Sequence, residues 1–229
     1  MTRTRKSVGR ISFVGAGPGD PSLLTRRAFA ALTSADHVVY DRDVPIALLD
    51  AVKADAEPDT QFSPAEGTPG DAAKVLLSAA RSGLRAVRLV DGDPFAVDAV
   101  VKEVQSVART NVAFEVVPGV GHAAGVATYA GVPLSGVRVT ADVDDVHALD
   151  FDALAAAVAR GSAALSVDAG DLAALRDGLI AAGVDAATPV ALTGDGTGDT
   201  STPRRPRWRV WSPRRSAPRA GSWWWSAPG

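Results

Sequence analysis

Residues 9–40 run GRISFVGAGPGDPSLLTRRAFAALTSADHVVY. An apolar run over 11–14 breaks into Gly15-Ala16-Gly17-Pro18-Gly19-Asp20. A helical pattern follows, with Leu23, Leu24, Ala28, Leu32 and Ala35 on one face, and a second apolar run, Val38-Val39-Tyr40, closes the stretch. Strand, glycine loop, helix and strand in that order predict a βαβ unit of about 30 residues. Glycines at the carboxyl end of a strand let backbone approach a ligand closely, because no Cβ stands in the way. The helix start beside them presents free N–H groups. A chain that opens this way is committed to a parallel sheet covered by helices.

The rest of the chain repeats the alternation. A short helix is expected over 45–52, followed by a loop rich in Asp, Glu and Pro up to residue 66. A helix over 71–82 ends at Gly83. The run RAVRLV, 85–90, is a strand that feeds Asp91-Gly92-Asp93-Pro94. A helix over 96–108 turns Val97, Val100, Val101, Val104 and Val107 inward, and a strand over 112–117 stops at Pro118-Gly119. The pattern then restarts: helix 121–130, strand 137–141, helix 152–160, strand 163–167, helix 171–182 and strand 189–193. The expected fold class is therefore α/β in two domains, each a mixed or parallel sheet flanked by helices. The domains divide as 9–118 and 119–202, the second reading as cut short. Residues 1–8 read as a disordered basic lead.

Composition narrows the function classes. Of 229 residues, 46% are hydrophobic, enough for a sizeable core. There is no cysteine, so disulfides and thiolate chemistry are excluded. The three histidines, His37, His122 and His147, share no metal-ligand spacing, so no metal is expected. No apolar stretch has the length of a membrane span, and the basic lead runs into a strand rather than a signal-peptide core. A cytoplasmic location, away from membranes, is the expectation. The net charge of −2 hides an asymmetry. Residues 203–229 hold seven arginines, no acid and all five tryptophans, which leaves −9 on the rest. Arginines among aromatics can bind phosphate and stack on bases. The alternative, a tail that belongs to neither domain, is the reading adopted, with no nucleic-acid partner and no loss of stability on deletion.

Four loops lie at the carboxyl ends of expected strands, where open α/β sheets gather ligands. They are Gly15–Asp20, Asp91–Pro94, the run Pro118-Gly119-Val120-Gly121-His122, and Gly194-Asp195-Gly196-Thr197. Each alone could be only a turn. The first has G-x-G-x-G rather than the dinucleotide spacing G-x-G-x-x-G. Asp36 and Asp41 fall near the place of a ribose-binding acid, which leaves a Rossmann-type oxidoreductase as a rival reading.

The runs VGAGPGDPSLLTRRA, ADHVVYDRDV, VRLVDGDPF and FEVVPGVGHAAGVATYAGVPL together resemble the tetrapyrrole methylase family. Within it they are most similar to the uroporphyrinogen-III C-methyltransferases, as in the methylase half of actinobacterial fusions with uroporphyrinogen-III synthase. The resemblance covers about residues 10–197. It implies two α/β domains with S-adenosylmethionine in a cleft between them, a homodimer, and methylation of uroporphyrinogen III to precorrin-2 on the way to sirohaem and cobalamin. By motif it implies cofactor contacts at Gly17 and Pro18, at Asp91, Gly92, Asp93 and Ala96, at Gly121 and His122, at Val167 and at Gly196. Asp41, in Tyr-Asp-Arg, stands at the family's proton acceptor.

That chemistry suits the residue types. Methyl transfer from a sulfonium depends on positioning in a dry pocket. A pyrrole carbon that gains a methyl must lose a proton, and one carboxylate base suffices. Asp41 could instead cap the helix that begins near Pro45. The chain also departs from the family. Phe62-Ser63-Pro64-Ala65 stands where a Gly-Lys-Arg stretch is expected, so the lysine proton donor has no match. Val90-Asp91 replaces Lys-Gly, Asp98-Ala99-Val100 replaces Gly-Arg-Gly, and Gly121 replaces a threonine. A degenerate methylase domain that binds without turnover is the alternative these departures leave open.

Overall fold

The structure is a computed structural model. It describes residues 9–131, 134–143 and 145–193, and the backbone of 209–211. The chain divides after Gly121 into two units, just beyond the boundary expected from sequence.

The first unit is a three-layer sandwich. Its sheet contains β1 (Arg10–Gly15), β2 (His37–Tyr40), β3 (Gln61–Pro64), β4 (Arg85–Val90) and β5 (Ala113–Val117), in the order β3-β2-β4-β1-β5. Every pairing is parallel. The helices are α1 (Arg26–Thr33), α2 (Ile46–Asp55), α3 (Pro69–Arg81) and α4 (Asp98–Ala108). Helices α1 and α2 cover one face: Ala28, Leu32, Leu48, Leu49 and Val52 pack on Val14, Val38, Val87 and Leu89. Helices α3 and α4 cover the other: Ala73, Leu76, Val100, Val104 and Val107 pack on Ile11, Phe13, Val39, Ala86 and Val90. The central strands are therefore buried on both sides, which is why they read as continuous apolar runs. Burying a side chain such as Phe13 contributes roughly 1.5–3 kcal/mol.

Two local features differ from the sequence expectation. The first helix starts later than Leu23, because Pro21–Leu23 forms a separate 3-10 turn and Leu24 is extended. Thr25 then caps α1, its hydroxyl accepting the Ala28 N–H at 3.1 Å. In the segment expected to be a loop, Gln61–Pro64 forms the edge strand β3. Proline is tolerated there because it ends an edge strand. The replacement for the Gly-Lys-Arg stretch is thus part of the sheet, with Ser63 Oγ 2.9 Å from His37 Nε2.

The second unit holds α5 (His122–Tyr129), β6 (Val137–Asp142), α6 (Phe151–Ala159), β7 (Ser162–Ser166), α7 (Leu172–Ala181) and β8 (Val190–Leu192). β6 and β7 pair in parallel. Val146, Leu154 and Leu175 form its buried core, with Val167 packed against them. β8 pairs antiparallel with β9 (Arg209–Trp211). The sequence shows no strand period in that tail, and three residues are too few for one to appear. The remaining residues of 203–229, with residues 1–8 and the fourth loop that contains Gly196, lie outside the described residues. Among the described residues, no helix is long and apolar enough to cross a membrane.

At the carboxyl edge of the first sheet the chain crosses itself closely. Gly17 and Gly92 exchange backbone hydrogen bonds, at 3.1 and 3.2 Å, joining the first and second loops. A Cβ on Gly119, in the third loop, would stand 2.2 Å from the Gly92 carbonyl oxygen and 2.9 Å from Gly15 Cα. All the atoms in the way are backbone, so nothing can swing aside. Inside the α3/α4 layer, Arg88 of β4 and Glu103 of α4 form an ion pair, 3% and 2% exposed. Arg88 Nε donates to Glu103 Oε2 at 2.8 Å and Nη2 to Oε1 at 3.1 Å.

Two predictions follow from this packing. Gly119→Ala is expected to destabilise the fold by about 1–3 kcal/mol, as overpacking against rigid neighbours does. A urea midpoint equal to wild type would mean that the crossing has room. Glu103→Ala leaves Arg88 Nε buried without its acceptor, with Asp41 as the remaining acid on the guanidinium, and should lower stability by about 1–3 kcal/mol. A loss well under 1 kcal/mol, read by the same denaturation, would contradict the buried pair.

Candidate active site

Asp41 directly follows β2, so the strand delivers it to the carboxyl edge of the sheet, beside the loop that leaves β4. Its backbone N–H bonds the Leu89 carbonyl at 3.0 Å, continuing the β2–β4 ladder by one residue. Its carboxylate accepts from Arg88 Nη2 through Oδ1. Oδ2 accepts the Asp91 N–H at 3.4 Å, a long contact. The helix-cap role is excluded: α2 has Pro45 at its N-cap and no side-chain capping bond. Asp41 is 23% exposed at the side chain, whereas Arg88 is 4%. The carboxylate therefore reaches solvent from a buried cationic base.

Burial alone would lower the basicity of Arg88. The Glu103 hydrogen bond, with the charges of Asp41 and Glu103, outweighs burial and raises it above the usual arginine value. Burial pushes the Glu103 carboxyl up, against the pull of Arg88. The guanidinium remains the fixed cation of the group, since arginine does not give up its proton in proteins.

The other acid offered as a ribose ligand is elsewhere. Asp36 precedes β2, at the amino edge of the sheet, and both its oxygens bind Arg85: Oδ2 accepts the backbone N–H at 2.6 Å and Nε at 3.1 Å, and Oδ1 accepts Nη2 at 2.8 Å. The Arg85 side-chain hydrogen bond holds its carboxyl below the usual aspartate range. The dinucleotide reading loses that residue.

The structure brings Gly17, Pro18, Asp91, Gly92 and Asp93 together with Gly119 and the residues just after it. Pro18 and Gly92 are buried. Gly17 has φ +73°, a conformation that favours glycine, yet a Cβ there would meet its nearest chain atoms only at 3.8–3.9 Å. Those atoms are the Leu23 carbonyl oxygen and the Val120 N and O. Gly17 is buried, and a Cβ there would make only ordinary contacts with backbone polar groups, so its positive φ and not crowding is what calls for glycine. Asp93 has a different part from a free acceptor. Its Oδ2 accepts the Gly119 N–H at 3.0 Å and its Oδ1 the Phe95 N–H at 3.0 Å. It ties the second loop to the third and caps the 3-10 turn Pro94–Ala96, on which Ala96 is exposed.

In the second unit, His122 starts α5, and its N–H and that of Ala123 bond the Asp142 carboxylate at 3.3 and 2.9 Å. Asp142 was not among the expected residues, and nothing near it in sequence marks it as a cap. Val167 belongs to that unit's apolar cluster. Gly121 ends the first unit. Sequence reasoning also missed Arg88 and Glu103. Their signal was available: a charge inside a strand covered on both faces, and an acid on the Val100, Val104, Val107 stripe of α4.

A profile of the family described as Tetrapyrrole (Corrin/Porphyrin) Methylases matches residues 10–206. Siroheme synthase 1 of Pectobacterium atrosepticum is 39% identical over 202 residues, which cover 82% of this chain and 41% of that protein. The chain spans about two fifths of the length of the curated relatives it matches. Among solved structures, a cobalt precorrin-4 methyltransferase of cobalamin biosynthesis superposes with a TM-score of 0.72 at 25% identity, over 87% of this chain and 86% of that one. The uroporphyrin-III C-methyltransferase of Thermus thermophilus, complexed with S-adenosyl homocysteine, gives a TM-score of 0.67 at 28% identity, over 89% of this chain and 83% of that one. With the profile spanning most of the sequence and the fold shared along nearly all of it, the chain belongs to the tetrapyrrole (corrin/porphyrin) methylases.

Proposed function

We propose that this chain is an S-adenosylmethionine-dependent C-methyltransferase that acts on uroporphyrinogen III and yields precorrin-2. Family membership supports methyl transfer to a tetrapyrrole. The neighbour complexed with S-adenosyl homocysteine supports the cofactor. The observation that carries the chemistry is the Asp41 carboxylate, partly exposed at the carboxyl edge of the sheet and tied to a buried arginine beside the second glycine loop.

S-adenosylmethionine would supply an electrophilic methyl group. Gly17, Pro18, Asp91, Gly92 and Gly121 would hold it mainly through backbone, with Asp93 keeping the second and third loops in register. Ala96 lies on the turn that follows. Asp41 accepts the proton that the pyrrole carbon loses after methylation, and its ionised form is the competent one. The Lys-lacking β3 segment provides no proton donor, so turnover is expected to be slow. Assembly as a homodimer is part of the same reading, and sedimentation equilibrium would test it.

The experiment has two arms. Isothermal titration should show heat with S-adenosylmethionine and S-adenosyl homocysteine and none with NAD. No heat with either sulfur ligand up to about 1 mM, where binding would be worth only ~4 kcal/mol, would remove the cofactor. Labelled methyl transfer to uroporphyrinogen III should then fall by about 10²–10⁴ in Asp41→Asn, the usual span for a positioned proton transfer. Equal rates would remove Asp41 from the reaction. Cofactor binding without methyl transfer in either protein would mean a binding domain instead of an enzyme.

A further inference from the structure

The cluster behind Asp41 has a geometry that packing alone does not explain. Arg88 stands on the central strand β4, with Val39 and Phe13 as its partners in register on the flanking strands. Every nitrogen of its guanidinium is anchored. Nε and Nη2 bond Glu103, Nη1 donates to the Leu89 carbonyl at 3.1 Å, and Nη2 also serves Asp41. The fork cannot turn without breaking two of these bonds. A lysine, with one ammonium on a flexible stem, could not reproduce it. The surroundings are the apolar cluster of Phe13, Val39, Val100 and Val104.

A buried ion pair of this kind is weak support for stability, because apolar side chains of the same volume often do as well or better. What an apolar replacement could not do is hold a carboxylate at the sheet edge. The three groups also differ in access. Glu103 and Arg88 are 3% and 4% exposed at the side chain, and Asp41 is 23% exposed. Of the three, Asp41 alone can meet a substrate.

We propose that Arg88, locked by Glu103, is the positioning residue for Asp41: Glu103 fixes the guanidinium, and the guanidinium fixes the direction of the Asp41 carboxylate. The inference rests on Asp41 being the proton acceptor. It goes further in assigning a function to two residues that touch neither cofactor nor substrate.

The test is a double-mutant cycle in the full chain, with Arg88→Lys, Glu103→Gln and Asp41→Asn alone and in pairs. Glu103→Gln keeps the shape of residue 103 and removes its charge. Each of the first two should lower kcat roughly 10- to 100-fold, the scale of a misplaced reacting group, with KM nearly unchanged. Neither should lower it further in the Asp41→Asn background, because residues that act as one unit are not additive. Equal fold-losses in both backgrounds would make Arg88 and Glu103 merely structural and overturn the proposal, as would an unchanged kcat in both single variants. A second measurement stands apart from turnover. The ¹³C carboxyl resonance of Asp41, identified by its loss in Asp41→Asn, should move in Glu103→Gln although residue 103 does not contact residue 41. A fixed resonance overturns the proposal, also where Arg88→Lys fails to fold. Full activity of Asp41→Asn would sink the reaction assigned to Asp41, while the resonance would still decide whether Glu103 and Arg88 orient it.

Discussion

Three chain segments meet at the carboxyl edge of the first sheet with backbone against backbone, and the site depends on that contact. Gly17 and Gly92 pair like strands, and Gly119 lies where any side chain would strike the Gly92 carbonyl. Each segment follows a different parallel strand, so the crossing can form only once β1, β4 and β5 are in register. The order β4-β1-β5 makes those strands neighbours although they are far apart in sequence. Asp93 then secures the crossing, its carboxylate accepting one N–H from its own turn and one from the third loop. The result is a rigid crossing lined by backbone, next to Gly17.

Rigidity of the backbone would be of little use with a mobile acid beside it. Exposed carboxylates rotate freely, and a surface ion pair adds little order. Here the cation is inside the core, held by Glu103 and by the Leu89 carbonyl. Asp41 is therefore attached to the sheet twice, through its own N–H on β4 and through Arg88. Glycine loops and buried cation act on the same strand, β4, which carries Arg88 inside and Asp91-Gly92-Asp93 at its end.

The sheet was legible in the sequence because both of its faces are covered. Apolar runs at 11–14, 38–40 and 85–90 announced β1, β2 and β4, and the glycine loops after the first and third marked the carboxyl edge. β3 was not legible: Gln61-Phe62-Ser63-Pro64 is half exposed, has a proline, and follows an acidic stretch, so only its pairing with β2 makes it a strand. The later start of α1 escaped because Leu23 and Leu24 continue its apolar stripe while belonging to a separate turn. Asp41 was singled out through its motif, and its partners Arg88 and Glu103 were not. A helix stripe of Val100, Glu103, Val104 and Val107 invites the acid to be read as an error at the margin, and Arg88 reads as an ordinary strand charge. Only the fold shows that the two exceptions face each other.

The most direct test of a cofactor seat at this crossing is amide hydrogen exchange with and without S-adenosyl homocysteine, read by mass spectrometry at peptide resolution. The account predicts added protection in the peptides that cover residues 15–19, 91–96 and 119–121, and little change along α2 and the outer face of α3. Protection absent from all three loops while the ligand is bound, or confined to other parts of the chain, would contradict it.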